Sequence, residues 1–174
     1  VKSDAEGWAQ KLGGRVLPTG TVRIAAGGRV EDLEGYADGE WWVQDAAAAL
    51  PAKLLGDVAG LQVADLCAAP GGKTVELAAM GAKVTAVEVS WLRIDRIRQN
   101  LARMKLTAEA VQADVLKWAP TEAFDAVLLD APCTATGTIR RHPDLLRLKR
   151  TEDVAKLAGV QTDLLRAASA LVKP

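Results

Sequence analysis

Two hydrophobic periodicities alternate along most of the chain. Residues 61–66 are a short apolar run that reads as a buried strand. Residues 72–80 follow with helical spacing and stop at Gly81, a residue suited to the left-handed turn that ends helices. Residues 83–89 read as the second strand. Ser90 then stands as the N-cap of a helix over 91–104, with Leu92, Ile94, Ile97, Leu101 and Met104 as its apolar face. Residues 110–112 and 124–129 read as the third and fourth strands. Thr151 is placed to cap a long helix in which Val154, Leu157, Ala158, Leu164, Leu165, Ala168, Leu171 and Val172 recur at helical spacing. Short apolar strands separated by helices predict a mostly parallel sheet covered on both faces, a doubly wound, Rossmann-like α/β fold. In such folds ligands gather at the carboxyl ends of the strands, here after Leu66, Val89, Gln112 and Leu129.

The first 45 residues read differently. A short helix is predicted over 3–12, capped by Ser3 or Asp4. Strands are predicted over 16–24 and 29–36, around Gly27-Gly28, and residues 39–45 alternate weakly. Asp45 is a good cap for a small-residue helix over 46–55. The chain therefore divides into a lead-in, residues 1–45, and a core, residues 46–174.

Composition narrows the function classes. With 49% apolar residues the 174-residue chain can fill a core and offset its ordering entropy. Lys plus Arg is 22 and Asp plus Glu is 22, so any polyanion site must be a local patch and not a basic coat. Two cysteines make no disulfide scaffold and suit a reducing compartment, so a cytoplasmic protein is expected. No apolar run approaches the ~18 residues of a membrane span, and no membrane partner is expected. One histidine and two separated cysteines make no zinc site, so no metal is expected. The chain starts without Met and ends without a helix cap or closing strand, and is expected to be a monomeric piece of a longer protein.

Two loops carry the chemistry. The first is Asp65-Leu-Cys-Ala-Ala-Pro-Gly-Gly-Lys-Thr74. Pro70 bends the chain, and Gly71 and Gly72 let the backbone approach a ligand before the helix begins. One reading is a phosphate-binding loop of a nucleotide hydrolase. Gly72-Lys73-Thr74 fits it, and the run Ala126-Val-Leu-Leu-Asp130 fits its metal-binding strand, but Cys67 stands where the first glycine belongs. The other reading is a nucleoside-cofactor site. It needs an acid at the second strand tip to hold ribose hydroxyls, and Glu88 is there; it needs a polar group after the third strand for adenine, and Asp114 is there.

The second loop is Asp130-Ala-Pro-Cys-Thr-Ala-Thr-Gly-Thr-Ile-Arg-Arg-His-Pro-Asp144. It sets the Cys133 thiol near the Asp130 carboxylate in a turn-forming stretch, whereas Cys67, at the root of the first loop, reads as packing or a backbone contact. A carboxyl at Asp130 could hydrogen-bond the N3 side of a cytosine. Arg140, Arg141, His142, Arg147, Lys149 and Arg150 form a local basic patch suited to phosphates. A non-catalytic RNA-binding module would need that patch alone.

These two loops resemble those of the Sun (NOL/NOP/Sun) family of RNA (cytosine-5)-methyltransferases. The likeness extends over Trp42-Val-Gln-Asp45 and over Glu88 to Arg93, and can be followed from about residue 20 to 174. The run Ile139-Arg-Arg-His-Pro-Asp144 is similar to that of the bacterial 16S ribosomal RNA enzymes, which favours ribosomal over transfer RNA as partner. The resemblance implies S-adenosyl-L-methionine as methyl donor, with Cys67, Ala68, Ala69, Pro70, Gly71, Gly72 and Lys73 lining its methionine end. It implies Glu88, with Arg93, at the ribose, Asp114 at the adenine, and Asp130 between cofactor and base. Glu88 replaces the family's more usual Asp. The family forms a covalent Cys–C6 adduct, using a nucleophile on a later strand, while the Pro-Cys thiol, here Cys133, helps release product. That later strand would lie beyond Pro174, so this chain alone is expected to be inactive and to hold the cofactor weakly or not at all.

Overall fold

The computed structural model describes residues 1–25 and 27–174. The lead-in holds one short helix, α1 (Ala5–Lys11), capped by Asp4, whose Oδ1 accepts from the Gly7 amide at 3.0 Å. The predicted strand over 16–24 is instead a small hairpin, β1 (Arg15–Val16) against β2 (Val22–Arg23). Residues 29–36 form no strand. They coil through a single 3-10 turn, Val30–Asp32, and then through Gly35, because the Trp41 indole N–H takes the Glu34 carbonyl at 2.9 Å and turns the backbone inward. The predicted helix over 46–55 is also shorter. Asp45 Oδ1 does accept from the Ala47 amide at 2.9 Å, but residues 46–49 are turns. Regular helix, α2 (Leu50–Leu54), begins only where Pro51 sits in its first turn, the one helical place that needs no proline N–H.

The core follows the predicted alternation closely. Its strands are β3 (Gln62–Leu66), β4 (Lys83–Glu88), β5 (Glu109–Gln112) and β6 (Ala126–Leu129); its helices are α3 (Gly72–Ala79), α4 (Trp91–Met104), a short α5 (Leu145–Leu148) and α6 (Thr151–Ser169). The four strands are all parallel, in the order β5-β4-β3-β6. Successive strands run outward from β3, then the chain returns to the other side of β3 to lay down β6. That reversal opens a crevice between the tips of β3 and β6.

Alternate residues of each strand face opposite layers. Val63, Val84 and Leu128 pack with Leu77 and Ala52 on the side of α2 and α3, while Ala86 meets Ile97, Leu101 and Met104 of α4. Ala64, Leu66 and Val87 pack on the other side with Leu164 and Ala168 of α6. Leu66, Leu77, Ile94 and Ile97 are wholly buried, and each such side chain stabilises the fold by about 1.5–3 kcal/mol.

Three details depart from the periodicity. Leu92 lies outside the buried stripe of α4 and is exposed. Along α6 only Leu164 and Ala168 are buried, with Val154 and Leu165 turned to solvent, so one stripe of the pattern has no partner layer among the described residues. Thr151 is the first helical residue and not the cap. Arg150 occupies that place, and its amide is taken by Asp153 Oδ2 at 2.9 Å.

Candidate functional site

Strand register sets the site. Leu66 pairs with Val87 on one side and Leu129 on the other, so the next residues, Cys67, Glu88 and Asp130, lie level at three neighbouring tips. Cys67 takes a left-handed backbone (φ 60°) and is half-buried. Burial first, and then the charges of Glu88 and Asp130, push its thiol up to about 11. It packs beside Ala64 and Leu66 as an uncharged group.

The first loop is held from behind. The Ala68 amide donates to Val87 O at 3.1 Å and the Gly71 amide to Ala68 O at 2.8 Å. Two side chains of α4 take the outward carbonyls: Arg93 Nη2 donates to Ala69 O at 3.0 Å, and Asn100 Nδ2 to Pro70 O at 2.8 Å. Gly71 caps α3 at φ 100°, and a Cβ there would stand 3.3 Å from the Ile97 backbone. Only glycine combines that conformation with that approach. Among the described residues the amides of Gly72, Lys73 and Thr74 have no partner, so the start of α3 presents three donors to the crevice.

Glu88 is buried at the tip of β4. Its Oε1 accepts from the Ser90 amide at 3.1 Å and from Arg93 Nη1 at 3.3 Å. Its Oε2 lies 3.3 Å from the same nitrogen yet makes no hydrogen bond of proper geometry. Ser90 thus starts α4 by giving its amide to Glu88, and its hydroxyl makes no cap. Asp114, half-buried after β5, caps its own turn through the Leu116 amide (3.1 Å). The adjacent Ala113 amide donates to Glu88 O at 3.2 Å, which ties this loop to the tip of β4.

Across the crevice, Lys73 Nζ and Asp130 Oδ2 are 2.7 Å apart, joining the two loops that sequence reading treated separately. The lysine is 14% exposed and the aspartate 55%. Beyond Asp130, the Pro132 carbonyl accepts from Gln161 Nε2 of α6 at 2.8 Å. Cys133 is exposed, its Sγ accepting from the Ala135 amide at 3.4 Å. Arg140, Arg141, His142, Arg147, Lys149 and Arg150 are all exposed and, among the described residues, make no ion pair.

Sequence reading missed Asp65, Thr74 and Asn100 as parts of this site. Asp65 is wholly buried beneath the loop, with Oδ2 accepting from the Thr74 hydroxyl at 2.5 Å and Oδ1 unpartnered. Burial raises its carboxyl to about 7, against the pull of Thr74 and Lys73. An aspartate inside an apolar strand was the available signal. The same contact counts against the nucleotide-hydrolase reading, because the hydroxyl that would face a phosphate-bound metal is turned inward to Asp65.

A parallel sheet with this reversal, a glycine cradle and acids at its tips defines the class: a Rossmann-like α/β domain of the class I methyltransferase type. The chain belongs to the family described as 16S rRNA methyltransferase RsmB/F, whose model matches residues 52–174. It is 47% identical over 151 residues to the ribosomal RNA small subunit methyltransferase B of Serratia proteamaculans, covering 84% of this chain and 35% of that protein. The crystal structure of PH0851 matches 99% of this chain and 42% of its own, with TM-score 0.89 and 32% identity. NSun6 from Pyrococcus horikoshii, solved with SFG, matches 84% of this chain and 38% of its own, with TM-score 0.76 and 26% identity. The chain spans about a third of the length of the curated relatives it matches.

Proposed function

We propose that residues 46–174 are the cofactor-binding core of an enzyme that methylates carbon 5 of a cytosine in ribosomal RNA, with S-adenosyl-L-methionine as donor. The observation that carries this reading is Glu88: a buried carboxylate with an unpartnered Oε2, level with Cys67 at the root of the loop that leads to three free amides. A ribose hydroxyl satisfies the first, and the carboxylate of an amino acid suits the second. The donor set fits a nucleoside joined to methionine. Glu88, held by Arg93, would take the ribose, and Asp114 the adenine edge. The loop from Cys67 to Lys73 would take the methionine end, with Asp130 between it and the base.

When bound, S-adenosyl-L-methionine supplies an electrophilic methyl group. The protein's part is to make carbon 5 of cytosine nucleophilic. A cysteine thiolate adds to carbon 6, and the ring electron pair moves to carbon 5. After methylation the carbon-5 proton leaves to a base, the C6–S bond breaks, and the thiolate departs. Asp130 is placed to hydrogen-bond the N3 side of the ring once Lys73 releases it. Cys133, exposed in the turn that Gln161 steadies, serves product release, and Cys67 stays a packed thiol. Arg140, Arg141, His142, Arg147, Lys149 and Arg150 would hold the RNA backbone. The lead-in, residues 1–45, buttresses α4.

Saturation-transfer NMR, which registers weak binding, is the test. Transfer to the ribose and adenine protons of S-adenosyl-L-methionine is expected with this chain and is lost in Glu88→Ala. Transfer to adenosine triphosphate but none to S-adenosyl-L-methionine overturns the reading.

A further inference from the structure

The β1–β2 hairpin carries a charge arrangement that folding alone disfavours. Arg15 stands directly opposite Arg23 in its antiparallel ladder, and Val16 opposite Val22 is the other pair. Residues opposite in such a ladder project from the same face, with Cβ atoms about 4.5–5.5 Å apart. Two guanidinium groups are therefore rooted side by side. Like charges so placed are destabilising, and a two-stranded hairpin is marginal to begin with. One of the two paired positions works against the ladder it belongs to.

The pair is not neutralised from within the chain. Both arginines are exposed, and among the described residues neither makes an ion pair. Every other lysine and arginine of the lead-in is engaged: Lys2 donates to Met104 O, Lys11 pairs with Glu34, and Arg29 pairs with Glu31 and Asp32. The other face of the hairpin is occupied. Val16 and Val22 are half-buried, and the Thr19 carbonyl in the turn accepts from Lys53 Nζ of α2. That mooring sets the hairpin beside the first loop. A cavity of about 360 Å³ lies between them, with Val22 and Ile24 on the hairpin side and Gln44 and Glu76 on the other. Gln44 in turn lies 3.9 Å from where a Cβ on Gly72 would stand.

We propose that Arg15 and Arg23 are a two-armed grip for one phosphate of the RNA backbone, a contact separate from the stretch Arg140 to Arg150. The inference rests on the proposed function and adds to it a substrate-binding site in the lead-in. A phosphodiester held between the two guanidinium groups replaces their repulsion with charge-assisted N–H···O contacts. RNA is the occupant that the placement favours. A strand whose cytosine enters the crevice beside Gly72 must lay its flanking backbone over the neighbouring surface, and phosphate contacts there fix its register and orientation.

Arg15→Thr and Arg23→Thr, singly and together, are the test, with a short cytosine-containing single-stranded RNA as probe. Threonine suits a strand, and each replacement removes the repulsion, so no urea midpoint should fall. In filter binding at low salt each single variant should lose affinity. The double variant should lose little more than either, because both arms hold the same phosphate, and its slope of log affinity against log salt should drop by about 1. Unchanged affinity and slope in the double variant overturn the proposal. Additive losses with a drop of about 2 overturn it as well, since they assign the arginines to separate phosphates. So does inorganic phosphate that raises the urea midpoint as far as the RNA does, which would make the pair a site for a free anion. If the unmodified chain binds no RNA, the RNA role proposed for Arg140 to Arg150 falls with this inference; binding lost on replacing Arg140 and Arg141 but kept on replacing Arg15 and Arg23 sinks only the inference.

Discussion

Asp65 shows how a single residue can work against stability for the sake of a site. It is wholly buried at the end of β3, yet one carboxyl oxygen has no partner. Burial raises it from 3.8 to about 7. Between those values the folded protein keeps a proton that the unfolded chain has released. Stability therefore falls as pH climbs from about 4 to about 7, by an amount on the order of a few kcal/mol, and the loss is complete above that window. Glu76, raised by burial although Gln44 hydrogen-bonds it, adds to the same trend. Asp65→Asn should flatten most of the slope, read as urea midpoints at pH 5 and pH 8. An unchanged slope would show that Asp65 is ionised in the folded state. An aspartate within the apolar run 61–66 hints at burial, but how deep it lies depends on what α3 lays across it.

At the scale of elements, the loops behave differently from the segments that carry them. The first loop is clamped by Arg93 and Asn100, two side chains one α4 stripe apart, so its glycines are free to turn without being free to move. The stretch from Arg140 to Arg150 has no such anchors among its cations. Its exposed arginines are available to phosphates, and in a protein of zero formal charge they concentrate the attraction in one place. If this segment holds RNA as proposed, replacing Arg140 and Arg141 together by Glu should weaken RNA binding at low salt and reduce the slope of log affinity against log salt by about 2, with the fold intact. A filter-binding salt titration reads both. A slope that does not change would remove this segment from the RNA interface. The helix boundaries also belong here. Pro51 delayed α2 and Asp153 moved the cap of α6 to Arg150, two local effects that periodicity cannot resolve.

Across the whole molecule, several side chains tie the lead-in to the core, among them Lys2, which donates to Met104 O, Gln44, which donates to Glu76, and Arg103. Arg103 Nη1 donates to Tyr36 O at 2.7 Å and to Trp41 O at 3.0 Å, and its guanidinium lies 4.0 Å over the Tyr36 ring. Gly39, with φ 73°, passes against the Arg103 carbonyl, where a Cβ would clash with the backbone. Arg103→Ala should raise amide exchange over residues 35–41 while leaving β3 and β4 protected, measured by hydrogen exchange with mass spectrometry. Equal protection in both proteins would mean that the remaining contacts, the Lys2–Met104 and Gln44–Glu76 hydrogen bonds among them, hold the lead-in without Arg103.

The order of elements from residue 61, the glycine cradle and the acids at strand ends were legible from the chain, because each depends on neighbours within a few residues: periodicity, turn chemistry and a preferred φ. The meeting of Lys73 with Asp130, the level placement of Cys67, Glu88 and Asp130, and the burial of Asp65 were not. Those depend on parallel register between strands that are tens of residues apart, and on which face of each helix the sheet covers. A parallel sheet has no local turn to set that register, so only the packed layers fix which tips stand side by side.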